Sequence, residues 1–491
     1  MRPAEGGSAG GRFLPFFCLS HPSFTLLPIR SAHFHGRKDG MEPTQAGATG
    51  MVDEPSRIAQ WLIPGWKRAL KTISMLGAAT ALGALFVFLT QTLLARELGP
   101  KGYGLFASSL ATVTMIAPLA GFGLNQFRLR VYGVEGWGAR RWIKPSLRFV
   151  AFTTMLALSI IVGWALLIAP DADTRFDLLV LTPIVLHLLA IELLTNKYRL
   201  EDRFGAMATW QLALPFMRML VAISLLLVPQ LTGRFVAASY AAISIAMILW
   251  STRPLLQFMR NQIDLKGHGP MPTSYADVAT PKIRELWSMA WPYGVVAVLY
   301  PIFFQVSTVL LKYLGSNAQA GQWAIALAVM MAIYLIPATI YHKFLFGKLH
   351  YWAAQNPPKF WLVYKRSNVA LTALGLLIGA AMVVVVPYVV PVLFGKAYAR
   401  VIDILLVLAI CPPIRFLSTS MGAALFTDDH MRYRVWAMVW ATVVAILLNA
   451  ALIPNFGEMG AAWGTVVAEL VLLAGTWWGV RHFKRAKGMH P

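Results

Sequence analysis

Cysteine and acidic residues are scarce in this chain. Among its 491 residues are two cysteines, Cys18 and Cys411, and 21 acidic residues against 43 lysines and arginines. Two isolated thiols favour neither a disulfide framework nor a thiolate metal site. We therefore expect no bound metal and no cofactor.

Features of an enzyme are also missing. The sequence has no nucleotide-binding glycine loop, and the intervals between its apolar segments are short except for one central interval. A membrane-embedded glycosyltransferase, polymerase or ligase usually needs a large loop with acids, metal ligands or a catalytic histidine. Asp264 and Asp277, in the central interval, do not have metal-ligand spacing. An enzyme is therefore the least favoured of the functional classes considered below.

Long apolar segments dominate the chain instead. Hydrophobic residues make up 57% of it, charged residues make up 13%, and the mean hydropathy is +0.60. A helix needs roughly 20 apolar residues to cross a bilayer, and about twelve such segments are present. They lie at residues 72–95, 103–126, 149–169, 178–195, 205–228, 235–251, 288–311, 321–345, 368–390, 402–426, 435–454 and 460–480. Because each is too long and too continuously apolar for a barrel strand, the predicted class is an all-α polytopic membrane protein.

The formal net charge of +22 does not indicate a nucleic-acid partner, because the basic residues are concentrated in alternate loops. They precede the first apolar segment, occupy every second loop and follow the last segment, as the positive-inside rule predicts. The other loops are poor in basic residues and contain Asp171, Asp173 and Asp177. This alternation predicts cytoplasmic N- and C-termini, with membrane lipids as partners.

The predicted helices form two groups of six, separated by an interval with prolines, glycines and mixed charges that is typical of a linker. Before the first group, the chain is predicted to be disordered or a non-native extension, since Met41 and Met51 offer later starts. The predicted divisions are this extension, a first six-helix bundle, a cytoplasmic linker, a second six-helix bundle and a basic tail, at residues 1–60, 61–251, 252–287, 288–482 and 483–491.

A short pattern repeats after the first helix of each half. In the first half, Gly99 follows the helix and Gly104-Leu-Phe-Ala107 opens the next one. In the second half, Gly315 and Gly321-Gln-Trp-Ala324 take the same places. A glycine just past a helix end is a common stop, because it adopts the left-handed conformation easily. An even number of helices in each half predicts parallel repeats, related by an axis along the membrane normal.

Three stretches carry a resemblance to a known family. They are LLARELGPKGYGLFA at residues 93–107, VLFGKAY at residues 392–398 and LNAALIP with the following Gly457 and Gly460-Ala-Ala462. These resemble motifs of the polysaccharide biosynthesis proteins, the O-antigen and exopolysaccharide flippases. The resemblance implies the multidrug/oligosaccharidyl-lipid/polysaccharide exporter superfamily, with two six-helix bundles around a central cavity (MATE-like). Where that family often has an aspartate late in the seventh helix, this chain has Gln305 and Lys312.

The function that the resemblance implies is transport of a lipid-linked sugar. A polyprenyl-diphosphate-linked oligosaccharide would move from the cytoplasmic to the outer leaflet of the bacterial inner membrane by alternating access. The protein would then serve O-antigen or exopolysaccharide biosynthesis beside glycosyltransferases and a polysaccharide polymerase. The alternative with the same fold is an antiporter for drugs or metabolites, coupled to protons or sodium.

Two arginines inside predicted helices are candidates for the cavity, because a charge at bilayer depth usually faces a cavity or a partner. Arg218 lies in the fifth helix and Arg415 in the tenth. Each could bind a diphosphate through its bidentate fork. Each could equally pair with an acid, Glu192 or Glu469, or extend to the membrane interface.

Further candidates are a histidine, two acids and a glutamine within apolar segments. His187 and Glu192, on the fourth helix, would form a proton relay, or Glu192 would be an interfacial acid. Glu469 lies in the middle of the twelfth helix, and Gln305 is polar within the seventh. Hydrogen bonding between helices is the ordinary role of such a glutamine.

The predicted cytoplasmic loop at residues 128–148 is dense in arginine and tryptophan. Attraction to anionic lipids explains such a loop. Lipid attraction is the default interpretation, and a docking site for the diphosphate of an arriving lipid-linked sugar is the alternative that the sequence leaves open.

Overall fold

A computed structural model describes residues 55–228, 230–260, 262–266, 280–339, 357–423, 425 and 431–486. The chain divides into two units, Met1–Trp61 and Leu62–Pro491. In the first unit only residues 55–61 are described, and they are helical. Most of the predicted extension therefore lies outside the described residues, as do residues 267–279 of the predicted linker and 487–491 of the predicted tail. The sections below concern the second unit.

All regular secondary structure in these ranges is helical, which confirms the predicted class. The α-helices are α1 (Pro55–Ile116), α2 (Leu124–Glu135), α3 (Ile143–Leu167), α4 (Ala172–Val180), α5 (Pro183–Leu200), α6 (Phe204–Leu227), α7 (Gly233–Met259), α8 (Ile283–Leu314), α9 (Asn317–Thr339), α10 (Pro357–Phe394), α11 (Arg400–Leu408), α12 (Cys411–Ala423) and α13 (Met431–Ala486).

Two glycines divide the longest helices. Gly99 in α1 has φ 64° and Gly457 in α13 has φ 55°, in the left-handed region that favours glycine. Each breaks the helical path, so that α1 holds the first predicted apolar segment and the start of the second, and α13 holds the eleventh and the twelfth. The kink at Gly99 corresponds to the predicted stop after the first segment, and the kink at Gly457 lies between the eleventh and twelfth segments.

Within the described residues, eight helical stretches are long and apolar enough to cross a membrane, or nine if α11 and α12 form one span bent by 42°. One of the eight, Ser74–Leu167, contains three predicted segments, and Arg432–His482 contains two. Within the described residues, each of the twelve predicted segments overlaps one of these helical stretches of a multi-pass membrane protein.

Helices of each half pack mainly with one another. In the first half α5 packs against α6 and α7, and in the second half α8 packs against α9 and α13. Helices α2 and α3 also contact α8, which joins the halves. The space between the halves is where a binding site can form.

Candidate functional site

A cavity of about 460 Å³ lies between the two halves. Its walls come from α1 on both sides of the Gly99 kink, from α6 and α7 of the first half, and from α8 and α9 of the second. Most lining residues are apolar, and the polar ones are Thr90, Gln91, Tyr103, Thr114, Arg218, Tyr240, Gln305 and Thr308. This volume lies within the usual range for a small-molecule site, roughly 300–1,000 Å³.

Among the described residues that line the cavity, Arg218 is the one that carries a charge. Its guanidinium carbon lies 4.5 Å from the ring centroid of Tyr240. No carboxylate forms an ion pair with Arg218 among the described residues, and its Nε atom has no hydrogen-bond partner there. Arg218 therefore gives the cavity an uncompensated positive charge.

The position of Arg218 follows from its helix. Pro215 lies inside α6, three residues before Arg218, and both residues line the cavity because residues three apart share a helix face. Behind the guanidinium, Tyr240 packs edge-to-face on Phe106, with ring centroids 5.1 Å apart. The cation thus lies against an aromatic pair at the wall of the cavity.

On the opposite wall, Gln305 and Thr308 lie three residues apart on α8 and face the same space. The Oγ1 atom of Thr308 and the Oε1 atom of Gln91 have no hydrogen-bond partner in the described part of the chain. These groups can bond to hydroxyl groups or phosphate oxygens of a ligand. The predicted candidates Arg218 and Gln305 are therefore brought together by the fold.

His187 and Glu192 are not among the lining residues. His187 is completely buried on α5. Glu192, on the same helix, accepts a hydrogen bond from the Nδ2 atom of Asn125 on α2. No hydrogen bond between His187 and Glu192 is found in the described ranges, so the structure does not assemble the two into a relay.

Arg415 and Glu469 form an ion pair inside the second half. The Nη1 atom of Arg415 lies 3.4 Å from the Oε1 atom of Glu469, whose side chain is fully buried. Four aromatic rings surround the guanidinium; the nearest centroid, that of Phe304, is 4.8 Å away. Neither residue lines the cavity, so this arginine adopts the ion-paired alternative that its sequence leaves open.

The halves touch at the end of the cavity predicted to face outside. An added Cβ on Gly104 would lie 2.7 Å from the backbone nitrogen of Gly321. Nearby, the Nε1 atom of Trp164 donates to the hydroxyl of Tyr313 at 2.8 Å. These contacts bring α1 and α3 against α9 and α8.

A second set of contacts joins the halves nearer the predicted cytoplasmic end. Gly123, at φ 70°, packs so closely on α8 that an added Cβ would lie 2.3 Å from the nitrogen of Gly294. The ring of Phe122 stacks on Trp287, with centroids 5.2 Å apart and planes 5° apart. Both ends of the helices around the cavity are therefore in contact across the halves.

Two residues at the boundary between the halves do not stand out in the sequence. Tyr240 is one aromatic residue among many in apolar helices, and only the fold places it against Arg218. Lys312 follows a long apolar run and is predicted at the outer boundary, yet its side chain is buried in the last turn of α8. Its Nζ atom has no hydrogen-bond partner within the described ranges, and it is attracted by Asp171 and Asp177 of the first half.

Comparisons with known proteins agree with this architecture. A family model described as "Polysaccharide biosynthesis protein" matches residues 69–346. The solved structure of the lipid II flippase MurJ in an inward closed conformation is similar, with a TM-score of 0.61 and 13% identity, over 83% of this chain and 87% of that one. An inward-facing multidrug resistance MATE family transporter of the MOP superfamily is also similar, with a TM-score of 0.62 and 14% identity, over 83% and 96%. Among curated proteins none matches this sequence. At these identities, the similarity shows that this chain has the fold of those two structures.

Proposed function

Because this chain belongs to the polysaccharide biosynthesis protein family, whose model matches more than half of it, we propose that it is a flippase for a polyprenyl-diphosphate-linked oligosaccharide. The substrate would pass from the cytoplasmic to the outer leaflet of a bacterial inner membrane, in which both termini of the protein face the cytoplasm. Glycosyltransferases would supply the substrate, and a polysaccharide polymerase would use it.

The uncompensated charge of Arg218 is the observation that carries this proposal. A diphosphate is a strong hydrogen-bond acceptor, and a planar guanidinium can donate two parallel bonds to it. In a cavity of low polarity such bonds are stronger than in water. The hydroxyl and amide groups of Thr308, Gln305 and Gln91 suit the sugar that follows the diphosphate.

The same charge weighs against an antiporter for organic cations. A positively charged drug would be repelled by Arg218, and no acid lines the cavity among the described residues. The acid of the second half, Glu469, is already paired with Arg415. We therefore infer that this protein, with its MATE-like fold, transports a substrate with an anionic headgroup rather than a cation.

Deletion of the gene tests the cargo class directly. We expect lipid-linked repeat units to accumulate in the cytoplasmic leaflet, with loss of surface polysaccharide, both restored by the native gene. Accumulation is measured by extraction of the lipid-linked sugars and by their protection from a membrane-impermeant glycosidase. Normal surface polysaccharide together with drug hypersensitivity would instead identify the antiporter.

A further inference from the structure

Arg128 on α2 is a buried arginine that, like Arg218, no carboxylate neutralises among the described residues. Its side chain is only 6% exposed, and its guanidinium carbon lies 5.5 Å from the ring centroid of Phe258 on α7. Within the described residues it forms no ion pair, and no hydrogen bond there involves its guanidinium. A ring face offsets only part of the cost of burying a charge, so an anion bound beside the guanidinium would lower that cost.

The surface around Arg128 supplies more positive charge. Exposed basic side chains follow it on α2, on the 3₁₀ helix Gly136–Trp142 and at the start of α3: Arg130, Arg140, Lys144 and Arg148. Arg141 is not available, because it pairs with Glu135 at 2.7 Å. Beneath this surface lie the apolar side chains of Phe127, Trp142 and Phe258.

This arrangement places an exposed cationic surface over a buried apolar cluster of the protein. Lysines and arginines exposed beside a membrane are attracted to the phosphates of its lipids. The loop is on the predicted cytoplasmic side, so those phosphates belong to the inner leaflet. The ligand class that matches Arg128 is therefore the phosphate of a lipid.

Arg128 and Arg218 share one further feature: α7 supplies the ring beneath each guanidinium. Phe258 underlies Arg128 and Tyr240 underlies Arg218. These rings are 18 residues apart on one helix, which at about 1.5 Å per residue places them roughly 27 Å apart. That distance is close to the thickness of a bilayer's hydrocarbon core, about 30 Å.

We propose that Arg128 binds the diphosphate of the lipid-linked substrate when it arrives in the inner leaflet, before the headgroup moves to Arg218. The two arginines then form an entry station and a cavity station for the same anion, at opposite depths of the membrane. This inference rests on the proposed function, because it takes the same substrate to both stations. Arg415 is excluded as a station because Glu469 neutralises it.

Farnesyl diphosphate tests the two stations by direct binding. The full-length protein, in nanodiscs of neutral phosphatidylcholine, is titrated with farnesyl diphosphate and, for comparison, with farnesol. We expect Arg128→Gln and Arg218→Gln each to remove one of two binding events, and the double variant to lose both. Loss of a charge-assisted fork should weaken binding at the affected station about tenfold or more. The control is Arg140→Gln, an exposed arginine of the same surface, which should retain both events.

Native protein provides a second readout that does not depend on a variant folding. A diazirine derivative of farnesyl diphosphate should label peptides at residues 124–148 or 253–260 in addition to peptides that line the cavity. Labelling of cavity peptides alone would overturn the entry station. So would an Arg128→Gln protein that folds and binds farnesyl diphosphate as the native protein does.

Phosphatidylglycerol distinguishes a substrate station from a lipid anchor. In nanodiscs that contain phosphatidylglycerol, this lipid could block labelling near Arg128. If it does, and if excess farnesyl diphosphate does not displace it, Arg128 binds bulk phospholipid and the inference is wrong. Failure of the proposed function has a different signature: export of lipid-linked sugar would be absent although farnesyl diphosphate still binds. If the Arg128→Gln variant exports lipid-linked sugar and binds farnesyl diphosphate as the native protein does, the entry station is refuted and the proposed function is not.

Discussion

The backbones of Gly104 and Gly321 lie directly against each other across the two halves of the protein. A Cβ on Gly104 would lie 1.7 Å from the carbonyl oxygen of Asn317, and one on Gly321 would lie 2.2 Å from that of Pro100. These glycines occupy equivalent places in the sequence repeat. Equivalent residues that touch must lie close to the axis relating the two units, so this contact marks the axis at the predicted outer end of the cavity.

Replacement of either glycine by alanine should hold the outer end open. The new methyl group would meet backbone atoms, which cannot rotate away as a side chain can, and added volume in a packed contact costs about 1–3 kcal/mol. Such a cost raises the ratio of open to closed protein by roughly 5-fold to 150-fold. Labelling of Thr308→Cys, on a Cys18→Ser background, by a membrane-impermeant maleimide measures this population.

Gly163→Ala is the matched control for the glycine contact. Gly163 is also helical, but an added Cβ there would meet no atom within 4 Å. Labelling should remain at the native level in this variant. If Gly104→Ala and Gly321→Ala also label like the native protein, the contact does not close the outer end.

Tyr398→Phe should destabilise the protein without altering its fold. The Tyr398 hydroxyl donates to the carbonyl of Ala95 at 2.9 Å, in the last turn before the Gly99 kink, where helical carbonyls lack regular partners. Loss of a buried hydrogen bond costs about 1 kcal/mol. The free energy of unfolding in mixed micelles measures the change, with Tyr388→Phe, an exposed tyrosine of α10, as the control. Equal losses in both variants would refute the assigned role of the hydroxyl.

Substitutions of Arg415 and Glu469 should change the free energy of unfolding non-additively. Arg415→Met or Glu469→Leu alone leaves one buried charge unpaired, which costs roughly 3–5 kcal/mol. Replacement of both by those apolar residues should cost much less than the sum. A double-mutant cycle on unfolding in mixed micelles measures this. Additive losses would show that the two side chains act independently, and full export activity in the double variant is the further expectation.

Substitution of Lys312 should open the outer end, as substitution of Gly104 or Gly321 should. The buried ammonium of Lys312, on the second half, is attracted by Asp171 and Asp177 on the first. Lys312→Met removes this attraction between the halves and should raise maleimide labelling of Thr308→Cys. Lys396→Met, at an exposed lysine of a predicted outer loop, should leave labelling unchanged. A lower level of labelling in Lys312→Met would contradict an attractive role.

The helical class and the positions of the apolar segments were predictable from sequence, because a bilayer demands both length and apolarity. The kink at Gly99 was predictable for the same reason that glycine ends helices elsewhere. The environments of Arg218 and Arg415 were not predictable from the sequence. Both are single arginines in apolar helices, and only long-range packing decides that Glu469 pairs with Arg415 while no acid of the described ranges pairs with Arg218.

Tyr240 and Arg128 show a second limit of sequence reasoning. An aromatic residue in an apolar helix has no signal that distinguishes core packing from support of a guanidinium. Arg128 stands in a loop of many arginines, and its neighbours Arg130 and Arg140 are exposed whereas it is buried. Such differences arise from the amphipathic packing of α2 on α7, which local composition does not encode.

Export by purified protein in liposomes tests the central role of Arg218 most directly. A polyprenyl-diphosphate oligosaccharide is placed in one leaflet, and its arrival in the other is measured by its accessibility to a membrane-impermeant glycosidase. We predict that Arg218→Gln slows transfer at least about tenfold, the effect of losing a charge-assisted hydrogen bond, and that Arg218→Lys retains part of the rate. Transfer by Arg218→Gln at the native rate would contradict the account.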